Sequence, residues 1–138
     1  DPTEHSTIAV RGSIWIHGAA GVFLNGIEVG RNVTVLGGGS EIPWSIKNNA
    51  IHGNLTVVGQ TSEWIGILFN RIDRNVVLAG ITLTGADDST GTGTNSLFVV
   101  RNTIGRNIAC GWIDPGVFGY GNSIAGHALG QCEPLAAS

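Results

Sequence analysis

A chain of 138 residues has room for one hydrophobic core and too little length for a second. Charged residues make up 12% against 42% hydrophobic ones, which excludes a disordered chain. The formal charge of −3 and a pI near 5.7 supply no basic field for nucleic acid or an anionic membrane, and no apolar run approaches the roughly 20 residues of a membrane helix.

The chain opens on Asp1-Pro2, without Met or an apolar leader, which fits a mature product after signal-peptide removal and equally a trimmed chain. Its first element is Val10-Arg11-Gly12-Ser13-Ile14-Trp15-Ile16: an apolar residue, two short or polar ones, then an alternating run that predicts a strand. Gly21-Val22-Phe23-Leu24 predicts a second strand. The phrase then returns as Val29-Gly30-Arg31-Asn32-Val33-Thr34-Val35, with Trp44-Ser45-Ile46-Lys47 after it. It returns again as Ile51-His52-Gly53-Asn54-Leu55-Thr56-Val57, followed by Ile65-Gly66-Ile67-Leu68-Phe69, and as Ile72-Asp73-Arg74-Asn75-Val76-Val77-Leu78.

Residues 86–96 interrupt the pattern. This polar, Gly-rich stretch holds Asp87 and Asp88 and reads as a loop pushed out of the repeat. Leu97-Phe98-Val99-Val100 resumes the second-strand series, Ile104-Gly105-Arg106-Asn107-Ile108-Ala109-Cys110 the phrase, and Gly116-Val117-Phe118-Gly119-Tyr120 the second strand again. A degenerate copy ends the series at Ile124-Ala125-Gly126-His127-Ala128-Leu129-Gly130.

The Asn-equivalent positions 13, 32, 54, 75, 107 and 127 are separated by 19, 22, 21, 32 and 20 residues, the long step being the one that contains 86–96. Strand content at a period near 21 predicts an all-β, single-domain right-handed parallel β-helix of about six rungs spanning 1–138. Val10, Val29, Ile51, Ile72, Ile104 and Ile124 form a column without a polar exception, expected to be an inward corner position. Two further columns are rich in Asn: Asn32, Asn54, Asn75 and Asn107, and Asn49, Asn70, Asn102 and Asn122. Each is read either as a hydrogen-bonded amide ladder or as a row of turn residues that tolerate left-handed backbone.

Cys110 falls at an inward position, and its expected partner is Cys132. That disulfide would tie residues 110–138 over the end of the coil, and it points to an oxidising compartment. Two unpaired buried thiols are the alternative. Asn102-Thr103-Ile104-Gly105-Arg106-Asn107-Ile108-Ala109-Cys110, with Gly121-Asn122-Ser123-Ile124-Ala125-Gly126 and Gly130-Gln131-Cys132, resembles the C-terminal phrases of secreted actinomycete β-helix proteins that end in Gly-Gln-Cys. Trp112-Ile113-Asp114-Pro115 departs from their usual polar turn. The resemblance covers residues 97–132 and implies secretion, the fold and the disulfide, with no catalytic residue.

His52 and Asp73 share a column on adjacent rungs, with Glu28, Arg31, Arg71 and Arg74 near the same corner. An imidazole between carboxylates could bind a metal or move a proton. Opposite charges also meet on stacked rungs for purely structural reasons, and that is the favoured reading. No catalytic residue, metal ligand or cofactor is therefore expected. Asn32-Val33-Thr34 and Asn54-Leu55-Thr56 are formal glycosylation sequons that coincide with the repeat, and His127 has no ligand spacing. The leading expectation is a secreted or cell-surface structural or interaction protein that assembles with itself end to end into filaments. A glycan-binding module using Trp15, Thr34 and Thr56 or the 86–96 loop is the alternative, and a small polysaccharide-acting enzyme centred on His52 and Asp73 is the third.

Overall fold

A computed structural model describes residues 8–85 and 96–137. The expected 86–96 loop, Asp87 and Asp88 included, lies outside the described residues except for Ser96. The chain winds as a parallel β-solenoid whose rungs contribute to three sheets.

The first sheet stacks six very short strands: β1 (Ile8–Val10), β4 (Ile27–Val29), β7 (Ala50–Ile51), β11 (Arg71–Ile72), β14 (Thr103–Ile104) and β17 (Ser123–Ile124). Its register pairs Val10 with Val29, Val29 with Ile51, Ile51 with Ile72, Ile72 with Ile104 and Ile104 with Ile124. The six-member inward column is thus one continuous stack, and five turns separate its ends. Read from the sequence as a corner, this column is itself strand.

The second sheet holds β3 (Phe23–Asn25), β6 (Trp44–Lys47), β10 (Ile65–Leu68), β13 (Leu97–Val100) and β16 (Val117–Tyr120). The third runs through β2 (Ile14–Ala19), β5 (Val33–Gly38), β8 (Leu55–Val58), β12 (Val76–Leu83), β15 (Ile108–Asp114) and β18 (Ala128–Gly130), with the small β9 (Thr61–Ser62) alongside β12. Alternation decides the facing of each side chain. Val33, Leu55, Val76 and Ile108 pair in register and are fully buried or nearly so, whereas Trp15, Thr34, Thr56, Val77, Ala109 and Leu129 form the outward column of the same strands. The core is almost wholly aliphatic, and Trp44 is its one buried tryptophan.

Both Asn columns are hydrogen-bonded ladders, and they run in opposite senses. In the half-buried one, the backbone N–H and Nδ2 of Asn54 both donate to Asn32 Oδ1, and Asn75 does the same to Asn54. Donors point back toward the N-terminus. In the buried one, Asn49 donates to Asn70 Oδ1, Asn70 to Asn102 and Asn102 to Asn122, toward the C-terminus. Each of these Asn residues also donates Nδ2 to a carbonyl of the second sheet. They therefore close the corner between two sheets that do not share a ladder.

The left-handed residues sit elsewhere. Positive φ belongs to Gly26, Asn48, Phe69, Arg101 and Gly121, each immediately before a position of the buried ladder, and not to the ladder Asn residues. A second such column is Gly18, Gly37, Gly59 and Gly80, ending in Trp112. Trp112 thus takes, at φ 54°, a conformation costly for a bulky side chain, and stands 88% exposed.

The disulfide Cys110–Cys132 is formed. Beyond it a short 3-10 helix, Glu133–Ala137, buries Leu135 together with Cys132 against the last rung. No described helix is long and apolar enough to cross a membrane.

Candidate functional site

The corner after the first sheet carries the chemistry expected from the sequence. Two neighbouring columns turn outward there. Backbone bonds from His52 N to Val29 O, Asp73 N to Ile51 O and Gly105 N to Ile72 O place Gly30, His52, Asp73 and Gly105 in one row. Bonds from Gly53 N to Arg31 O, Arg74 N to Gly53 O and Arg106 N to Arg74 O place Arg31, Gly53, Arg74 and Arg106 in the next. Gly53 is required, because a Cβ there would collide with the Arg31 carbonyl and the Asn32 amide oxygen. Beside it lies a pocket of about 280 Å³ lined by Arg31, Arg74, His52, Asn32 and Asn54.

His52 bridges both carboxylates. Its Nδ1 lies 2.9 Å from Asp73 Oδ2 and its Nε2 3.0 Å from Glu28 Oε2, while Arg71 Nε donates to Asp73 Oδ1 at 3.2 Å. Glu28 reaches across from the preceding rung, where it is the outward residue of β4 and pairs in register with Ala50. The hydrogen bond to Glu28, and next that to Asp73, hold the imidazole pKa above its ordinary value. The same bond from His52, with Arg71 beside it, holds the Asp73 carboxyl below the usual aspartate range.

The two carboxylates contact opposite edges of one ring, so their oxygens do not converge. Among the described residues no group of His, Cys, Asp and Glu is arranged to hold a metal ion. Both ring nitrogens are already engaged, which leaves neither free to take a proton from a substrate without breaking a contact. The side chain is 46% exposed, and exposed pairs of this type contribute little to stability.

The sign of the pH effect follows from the two shifts. His52 contributes fully below the ordinary imidazole value, about pH 6.5, and loses its contribution as pH rises through the raised midpoint. Asp73 contributes above its ordinary value, and that part is lost as pH falls through the depressed one. An NMR titration of the His52 ring is expected to show a midpoint above that of a free histidine. Glu28→Gln and Asp73→Asn should each lower this midpoint. An unshifted midpoint in the parent protein would mean that the bridge does not persist in solution.

Comparison of the chain with protein-family models, with curated proteins and with solved structures finds no match. The other sequence candidates separate. Trp15, Thr34 and Thr56 do share one outward column, but Trp44 is core and Trp64 packs its ring against Phe98 at 5.5 Å. Of the two sequons, Asn54 has its Nδ2 engaged, donating to Asn32 Oδ1.

The rod ends differ from each other. At the C-terminal end Cys132 and Leu135 lie over the core. At the other end each sheet finishes, among the described residues, in a strand with one open side, and each of those strands exposes a large apolar side chain: Ile8 at 65%, Trp15 at 70% and Phe23 at 67%. The pattern in the sequence registers Trp15 as outward, but it does not reveal that the three residues surround one end.

Proposed function

We propose that the protein is a structural and interaction rod of the cell exterior, binding and not catalytic, that associates with a second copy of itself through its N-terminal rung. The observation that carries this reading is the first rung: open strand edges on all three sheets, each bearing a large apolar side chain in water. Unpaired edges with exposed apolar residues are templates for further strand pairing. An equivalent rung, with the same open edges and the same apolar side chains, is the matching occupant.

A filament requires both ends to be available. With the tail folded over the C-terminal end, the favoured contact joins two N-terminal ends, and such an isologous pair closes on itself. The disulfide supports an oxidising location, as does the resemblance of residues 97–132 to secreted actinomycete proteins.

Light scattering with size exclusion over a wide concentration range tests the proposal. A dimer mass is expected, converted to a monomer by Trp15→Asp with Phe23→Asp at unchanged circular dichroism. A parent protein that remains strictly monomeric would overturn it.

A further inference from the structure

The charge distribution is lopsided. Five of the seven lysines and arginines, Arg11, Arg31, Arg71, Arg74 and Arg106, stand on the corner that carries His52, although the whole chain has a net charge of −3. Among the described residues only two carboxylates share that corner. Both are engaged, Glu28 by His52 and Asp73 by His52 and Arg71. Among the described residues Arg11, Arg31, Arg74 and Arg106 make no ion pair, and all four are exposed. Four guanidinium groups with no ion-pair partner among the described residues, Arg31, Arg74 and Arg106 in one row and Arg11 in the row beside it, constitute a local field that attracts anions.

Their spacing identifies the kind of anion. Successive rungs lie about 4.8 Å apart, so Arg31 and Arg74 are separated by about 10 Å of backbone and Arg74 and Arg106 by about 5 Å. The row therefore does not converge on one small ion. An exposed guanidinium contact is individually weak, and useful affinity requires several to be engaged by one chain at once. Guanidinium groups match the oxyanions of carboxylate and sulfate. No Phe, Tyr or Trp stands on this corner to stack on a base, which argues against single-stranded nucleic acid. The pocket beside Gly53 and the hydroxyls of Thr103 and Ser123, outward on the same sheet, suit a hydroxylated polymer instead.

We infer that this corner binds a linear acidic polysaccharide lying along the rod axis, its carboxylate or sulfate groups held by Arg31, Arg74 and Arg106. This inference is independent of association through the N-terminal rung, because the strip runs along the side of the rod.

Calorimetric titration at low salt with heparin as the sulfated probe, polygalacturonate as the carboxylated one and single-stranded DNA as a competitor class tests it. Binding to at least one polysaccharide is expected, weakening as salt is added. Arg31→Ala, Arg74→Ala and Arg106→Ala combined should lower the affinity by about tenfold, the product of three weak exposed contacts. Lys47→Ala with Arg101→Ala, which removes cations flanking the second sheet, should change it by less than about twofold. Because the substituted side chains are exposed and form no ion pair, the triple variant is expected to keep the parent circular dichroism and melting temperature. Three results would overturn the inference: no binding to either polysaccharide, equal losses in the two variants, or DNA binding as tight as polysaccharide binding and lost in the same triple variant.

Discussion

Asn70→Ala is expected to destabilise the protein by about 3 to 5 kcal/mol, a larger loss than an exposed substitution causes, because it removes one member of a buried ladder, leaves the Asn49 N–H without its acceptor and takes one bond each from Asn49 Nδ2, the Ile46 carbonyl and Asn102 Oδ1. Asn70 Oδ1 accepts from the backbone N–H of Asn49 at 3.0 Å and from Asn49 Nδ2 at 3.1 Å, and Asn70 Nδ2 donates to the Ile46 carbonyl at 2.9 Å. Asn49, Asn70 and Asn102 are all buried, so water cannot replace what is lost. Each orphaned group costs about 1 to 3 kcal/mol, partly relieved by relaxation. The matching change in the half-buried ladder, Asn75→Ala, removes the acceptor for Asn107 N–H at 3.1 Å, where solvent can compensate, and should cost about 1 kcal/mol. Urea unfolding of the two variants decides the matter. Equal losses would mean that the buried amides only mark the turn and do not join the two sheets.

Replacing both Cys110 and Cys132 by Ala should cost about 3 kcal/mol, the loop-entropy value for a cross-link of this span. The two residues are 22 apart in sequence and both are buried. The loss should also be local. β18 places only Ala128 and Gly130 against Ile108 and Cys110, so the bond and Leu135 hold much of the last rung in place. Hydrogen exchange should show loss of protection in β18 and the adjoining edge of β15, with β5 and β8 nearly unchanged at their slowest amides. A uniform loss along the rod, or none, would contradict the role assigned to the tail.

Much of this architecture was legible in the residues, for a definite reason. A strand alternates its faces every two residues, and a coil repeats each position once per turn, so two periodicities read together place every repeat residue on a side and in a column. The pairing of Ile51, Ile72 and Ile104, the inward Cys110 and the outward Trp15 follow directly. The corner column was harder to recognise as strand, since two or three residues are too few for alternation to show. The left-handed positions were hidden for another reason. Glycine would have marked them, but Phe69, Arg101 and Trp112 occupy three, and the repeat placed the Asn residues one step away.

Of the candidate site, the juxtaposition of His52 with Asp73 came from the column, whereas the second contact to Glu28 required a side chain leaning across a rung boundary. Its only signal in the sequence was that Glu28 and Arg71 share the outward column of the first sheet. The opposed senses of the two ladders had no signal at all, whereas the covered C-terminal end and the arginines at the corner had one in the cysteine spacing and in the repeated phrase, without showing which arginines are paired.

The amino-acid sequence by itself determined the period, the inward and outward sets, the number of stacked phrases and the cysteine pair, because each depends on spacing along the chain. Only the tertiary structure decided which amide accepts from which and which arginines are neutralised. Those outcomes depend on side-chain reach between residues some twenty positions apart, and chain spacing carries no information about that reach.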